Sequence, residues 1–140
     1  MNSLFLLTLN LLSFTLMSQT NSDDILGTWL NESQDGKIEI YKEGGKYFGK
    51  IISAKPPSKD ANEILVDKRN PNPALRNQPI LNMVVLENLV YKNQKWIKGT
   101  AYSPERGKHF KIKSWMNEKD QLMIRGYWGF FYATETWTRV

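Results

Sequence analysis

Two short stretches, Gly27-Thr28-Trp29 near the start of the chain and Thr136-Trp137-Thr138-Arg139 at its end, decide the fold. The first opens a strand-like run after an apolar segment, and the second closes the last such run. A Gly-x-Trp on a first strand and an Arg at the end of a last strand describe a small closed β-barrel stapled at its seam. The Trp29 indole plugs the floor, and the Arg139 guanidinium is placed to stack on it. Gly27, Trp29, Trp137 and Arg139 are therefore the expected closure residues. A closed barrel is a cup, and these stretches do not say what it holds.

Working outward, the chain reads as short strands separated by turn chemistry. The expected strands are Leu26–Ser33, Lys37–Glu43, Lys46–Ala54, Ile80–Val90, Lys95–Tyr102, Lys108–Met116, Gln121–Tyr127 and Phe130–Arg139. Asp35-Gly36, Gly44-Gly45, Lys92-Asn93-Gln94, Pro104-Glu105-Arg106-Gly107 and Asn117–Asp120 separate them with hairpin-length loops. Short connections force antiparallel neighbours. Ile38 and Ile40, Phe110 and Ile112, and Leu122 and Ile124 alternate with polar or charged neighbours, so one face of each strand is apolar. Ile80–Leu86 is apolar on both faces, and its β-branched residues and the flanking Pro79 favour strand. The expectation is an all-β, antiparallel up-and-down barrel of about eight strands.

One segment breaks the rhythm. Lys55 to Pro79 carries Pro56, Pro57, Pro71, Pro73 and Pro79. Loops of this length are uncommon in compact domains and often functional. Pro73 suits the first position of a helical turn over Ala74-Leu75-Arg76. The loop is read either as a lid over the barrel mouth or as a cap that plugs one end. Arg76 either pairs with Asp67 to hold the loop or faces a ligand at the rim.

The ends and the composition bound the rest. Leu4 to Met17 is dominated by Leu, Phe and Thr, and no side chain before Asp23 is charged. Such a run is too short to span a bilayer and fits the apolar core of a secretory leader. We read residues 1–22 as a signal peptide and 23–140 as one barrel domain, resident in the periplasm or secreted and not integral to the membrane. The lack of Cys excludes disulfides, thiolate metal sites and a lipid-modified cysteine. Stability must then come from packing, and five tryptophans provide much of the area. The net charge of +5 is spread as single lysines without a basic block, so nucleic acid is not the expected partner. Asn31-Glu32-Ser33 matches a glycosylation sequon and is read as chance.

Further motifs carry a resemblance. Gly27-Thr28-Trp29, Gly49-Lys50-Ile51, Asp67-x-x-Asn70-Pro71-x-Pro73-x-Leu75-Arg76-x-x-Pro79-Ile80, Trp96, Tyr102-x-Pro104-x-x-Gly107-Lys108, Arg125-Gly126 and Thr136-Trp137-Thr138-Arg139 recur in order. Together they resemble the bacterial exported family called domain of unknown function 2147, over essentially the whole of 23–140. The resemblance implies a lipocalin-like (calycin) barrel exported to the periplasm or beyond, and it brings no established activity. Many members have Cys near the second hairpin and before the last strand. This chain has Glu43-Gly44-Gly45-Lys46 and Tyr127-Trp128-Gly129-Phe130 there, so any disulfide between those regions is absent.

Catalytic machinery does not assemble from this inventory. The chain has one His, His109, beside Lys108 and Lys111, and a nucleophile needs a base with an orienting partner. One His without Cys does not build a transition-metal site. No catalytic residue, metal or cofactor is expected. Binding fits better: a barrel offers an apolar lining with few fixed polar groups, which suits a small hydrophobic or amphiphilic ligand. If Trp137 points inward, period-two alternation turns Glu135 and Ala133 inward. Arg125, if also inward, would pair with Glu135 or hold a ligand carboxylate, but the alternation of Leu122 and Ile124 argues against that orientation. Tyr127-Trp128-Gly129-Phe130-Phe131-Tyr132 is a dense aromatic cluster at a turn, read as a stacking rim, a protein interface or barrel-end packing. The candidate ligand residues are Arg125, Glu135, Arg76, Tyr127, Trp128 and Phe130. The expected function is an exported carrier or sensor of an apolar or amphiphilic small molecule, a monomer or homodimer. The alternative is a cell-envelope interaction module without a cavity.

Overall fold

The computed structural model describes residues 19–56, 59–60 and 62–140. The leader expected over residues 1–22 lies outside the described residues as far as residue 18. Eight antiparallel strands follow one another around a closed barrel: β1 (Gly27–Leu30), β2 (Gly36–Glu43), β3 (Lys46–Ala54), β4 (Val84–Lys92), β5 (Lys95–Ser103), β6 (Lys108–Met116), β7 (Leu122–Trp128) and β8 (Phe131–Arg139). Each strand pairs with its sequence neighbour, as tight hairpins require. The fold is lipocalin-like, as the closing motifs predict.

The seam is short. β8 meets β1 only through Trp29 opposite Arg139 and Leu30 opposite Thr138. Above that point, among the described residues, no strand pairs with the edge of β8, and the Thr136 N–H is donated to Glu32 Oε1 at 3.2 Å instead. The Arg139 guanidinium carbon lies 4.3 Å from the Trp29 ring centroid. Its Nη1 and Nη2 donate to the carbonyls of Leu26 and Asp24 at 3.0 and 2.7 Å. Gly27 has φ +124, and a Cβ there would press on Arg139 Nη1. The glycine of the opening motif thus supplies both the backbone angle and the space for the arginine.

The core sits at this end. Ile25, Trp29, Tyr47, Leu89, Trp96 and Leu122 are at most 1% exposed. A 3-10 turn, Ser22–Ile25, closes the floor. Its carbonyls satisfy the buried indoles: Trp29 Nε1 donates to Ile25 O at 2.9 Å, and Trp96 Nε1 to Ser22 O at 3.0 Å. Tyr91 donates its hydroxyl to Thr20 O. Thr20 and Ser22, inside the segment read as leader, thus contribute carbonyls to the barrel's hydrogen bonding. Lys42 and the Tyr47 hydroxyl both reach Asp23. The Tyr47 hydrogen bond, followed by Lys42, holds the Asp23 carboxyl below its ordinary value.

Two strand bounds need correction. β4 begins at Val84 and not at Ile80, because Asn82 adopts φ 66 and turns the chain. The apolar Ile80–Met83 stretch is a turn that bridges to β3 through Ile51. β1 ends at Leu30, where Asn31 accepts the N–H groups of Asp35 and Gly36 and starts the hairpin turn. The helical turn expected after Pro73 is present over Pro73–Leu75, with Asn72 Oδ1 accepting Ala74 N–H at 3.1 Å.

Candidate functional site

The opposite end of the barrel is hollow. Ile38, Ile51, Phe110 and Ile112 face inward, Val85 and Leu86 both line the cavity where the β3–β4 register is irregular, and small residues at Ala101, Gly126 and Ala133 leave the centre unfilled. The result is a cavity of about 700 Å³ within the usual size range of ligand sites. The β1–β2, β5–β6 and β7–β8 hairpins and the long loop surround its mouth.

The long loop is strapped to the rim by the motif residues of the sequence. Asp67 is 1% exposed. Its Oδ1 accepts the Tyr102 hydroxyl and its Oδ2 the Asn70 amide, both at 2.7 Å. Its N–H is donated to Gln78 O at 2.8 Å, and Val66 bridges to Pro79. Arg69 Nη1 donates to Glu105 O at 2.6 Å. Gly107, at φ +63, packs so closely that a Cβ would collide with the Arg69 carbonyl. Burial, the hydrogen bond to Asp67 and its charge push the Tyr102 hydroxyl up to about 12. His109 stacks on the same ring at 4.7 Å. Leu65, Val66 and Ile80 of the loop line the mouth, so the loop forms part of the wall and leaves the cavity open.

The predicted ligand residues separate into two groups. Glu135 and Trp128 line the cavity, as does Trp137, whose Nε1 donates to Glu135 Oε2 at 2.8 Å. Trp128 meets Phe110 edge-on at 5.7 Å. Arg125 is on the outer face, as the alternation of Leu122 and Ile124 argues. Its guanidinium lies 4.9 Å from the Trp115 ring and 4.4 Å from Tyr132, and its Nε donates to Thr134 Oγ1 at 2.8 Å. Arg125 is thus an outer-wall clamp and not a ligand residue. Tyr127 is likewise outside, 6.1 Å from the Tyr132 ring and under Lys113. Arg76 does not reach the cavity; its Nε donates to Asn70 O at 2.9 Å. It does hold the loop, but through that carbonyl, while Asn70 and Tyr102 are the side-chain partners of Asp67. Phe130 sits at the β7–β8 hairpin tip, fully exposed.

Sequence reasoning missed the Asp67–Tyr102 strap as a structure, although both residues stand in the motifs quoted above. Their partnership spans 35 residues and leaves no local pattern.

Residues 27–139 match the model of a family described as "Uncharacterized protein conserved in bacteria (DUF2147)". Among solved structures, the chain is similar to protein HP1028 from the human pathogen Helicobacter pylori, described as belonging to the lipocalin family. The two share 26% identity over 82% of each chain, with a TM-score of 0.70. No curated protein matches.

Proposed function

From the premise that the chain belongs to the DUF2147 family of uncharacterised bacterial proteins, we propose that it is an exported carrier or sensor of an apolar or amphiphilic small molecule. The observation that carries this reading is the cavity of about 700 Å³ above a solid floor. Apolar inner walls with polar groups at Glu135 and around the rim suit an amphiphilic ligand. The uncharged, Leu-rich segment before Asp23 supports export. We read a binding protein and not an enzyme. His109, the one imidazole of the chain, lies against Tyr102 and is not on the cavity wall, whereas a nucleophile needs such a base beside it.

The test is titration with a neutral fluorescent apolar probe, N-phenyl-1-naphthylamine. One saturable site per chain is expected. A Cβ at Gly126 would meet Phe110 only at ordinary contact distance, 3.7 Å. Gly126→Leu therefore projects a side chain into the cavity with little strain and should weaken binding while the chain stays folded. Unchanged binding in that variant contradicts the reading.

The interaction module remains a second reading, favoured by one observation. Phe130, Phe131 and Tyr132 are 103%, 68% and 60% exposed beside an edge of β8 that no strand pairs among the described residues. Exposed aromatics on a free strand edge favour pairing with another chain. It requires a concentration-dependent dimer that Phe131→Ser weakens.

A further inference from the structure

The position of Arg125 changes what the cavity can recognise. An inward arginine would have neutralised Glu135 or held an anionic ligand. With Arg125 clamped outside, Glu135 is the only charged side chain that the strands project onto the cavity wall among the described residues. No cation of the protein lies within ion-pair distance of it among the described residues. Its Oε2 accepts the Trp137 indole N–H, and the side chain stays exposed where it lines the cavity. The indole bond also orients the carboxylate on the wall.

We propose that the cavity selects a cationic amphiphile, an alkyl amine or quaternary ammonium, with its positive head on Glu135. This rests on the carrier reading above and names the ligand class of the same site. Three physical arguments converge. A purely apolar ligand that covered Glu135 would strip water from a carboxylate and give nothing in return. An anionic head or tail beside it would add repulsion or the same loss of water. A cation supplies the missing charge at a carboxylate that no protein cation neutralises among the described residues. The apolar walls at Val85, Phe110 and Ile112 then take the alkyl chain.

The opposing feature is the rim, where Lys55, Lys68, Arg69 and Arg106 border the mouth along with Asp35 and Glu105. These charges act across the mouth on a head group held at Glu135, and salt screens exposed charges separated by more than about 8 Å, whereas a head in contact with Glu135 is closer than that. They attract anions to the entrance, while Glu135 acts on what enters. The two effects therefore differ in their salt dependence.

The experiment is calorimetric titration of the full chain with dodecyltrimethylammonium, dodecanol and dodecanoate below their micellar concentrations, at low and at raised salt. Glu135→Gln is titrated in parallel; its side-chain carbonyl can still accept the Trp137 N–H, and thermal unfolding checks its fold. The expected result is that the ammonium binds roughly tenfold or more tighter than the alcohol, a preference on the scale of one close charge pair. That preference should persist at raised salt and vanish in Glu135→Gln. Tighter binding of dodecanoate, or an ammonium preference untouched by Glu135→Gln, overturns the proposal and assigns selection to the rim. Equal binding of all three keeps the carrier reading and removes the cationic ligand. Failure of all three to bind removes both.

Discussion

The two ends of the barrel are built from the same strands and solve opposite problems. At the floor, large inward side chains fill the space: Trp29, Trp96, Tyr47, Leu89 and Leu122 are at most 1% exposed. The Trp29 and Trp96 indole N–H groups find backbone carbonyls of the Ser22–Ile25 turn. At the mouth, the inward positions are Ala101, Gly126 and Ala133, and the same periodicity encloses about 700 Å³. Aromatics at the mouth are exposed, as at Trp128 and Phe130. One strand, β8, shows the contrast alone: Trp137 is buried at the floor, and Glu135 and Ala133 open onto the cavity two and four residues earlier. Side-chain size along a constant pleat is what divides stability from binding here.

The largest effect should come from the floor. Trp29→Ala removes the plug, the stacking surface of Arg139 and the hydrogen bond to Ile25. Core Trp truncations cost about 3–5 kcal/mol, a large share of what a domain this size has. Denaturant unfolding should show a chain that is barely folded or unfolded; a loss under about 1 kcal/mol would mean that the floor is not the stabilising half.

Next is the strap. Tyr102→Phe leaves Asp67 Oδ1 without its donor in a buried setting, at a cost of about 1–3 kcal/mol. The wild-type strap also titrates. The hydroxyl is pushed up to about 12 in the folded chain against about 10 unfolded, so its contribution is complete below about pH 10. It is lost as pH rises through about 12. Stability measured across that alkaline window should fall more steeply for the wild type than for Tyr102→Phe. Parallel curves would show that the strap is not held by this hydrogen bond.

The acid side involves the floor. The Asp23 carboxyl is held below its ordinary value by Tyr47 and Lys42, so its contribution is present above that value and lost as pH falls through the lowered one. Asp23→Asn should flatten the acid limb of the stability curve modestly. An unchanged limb would show that this exposed carboxylate does not contribute.

The smallest stability effect should be at the mouth. Phe130 is 103% exposed, so Phe130→Ser should change stability by no more than about 0.5 kcal/mol. Probe binding should change little as well, because the phenyl ring points away from the cavity wall. A large loss of either would blur the division between the two ends.

Much of the architecture was legible because it rests on local rules. Period-two alternation located the strands, and two end motifs predicted the contact between Trp29 and Arg139. Glu135 was placed inward by counting back from Trp137, and Leu122 and Ile124 correctly argued Arg125 outward. What escaped depends on partners distant in sequence or on one backbone angle. The strap joins Asp67 to Tyr102 and Arg69 to Glu105 across the mouth, and periodicity carries no trace of it. Asn82 at φ 66 shortened β4 although its neighbours are apolar. Thr20 and Ser22 look like the small polar residues of a cleavage region, yet their carbonyls complete the floor. Such roles fall to backbone atoms, which side-chain identity does not report.

The central claim is that the hollow half of the barrel is a container. Native mass spectrometry of the chain purified without detergent tests it most directly. The account predicts a folded chain that carries one added small-molecule mass, released on denaturation and at lower occupancy in Gly126→Leu prepared in the same way. The same occupancy on the wild type and on this narrowed variant would place the molecule elsewhere and contradict the account.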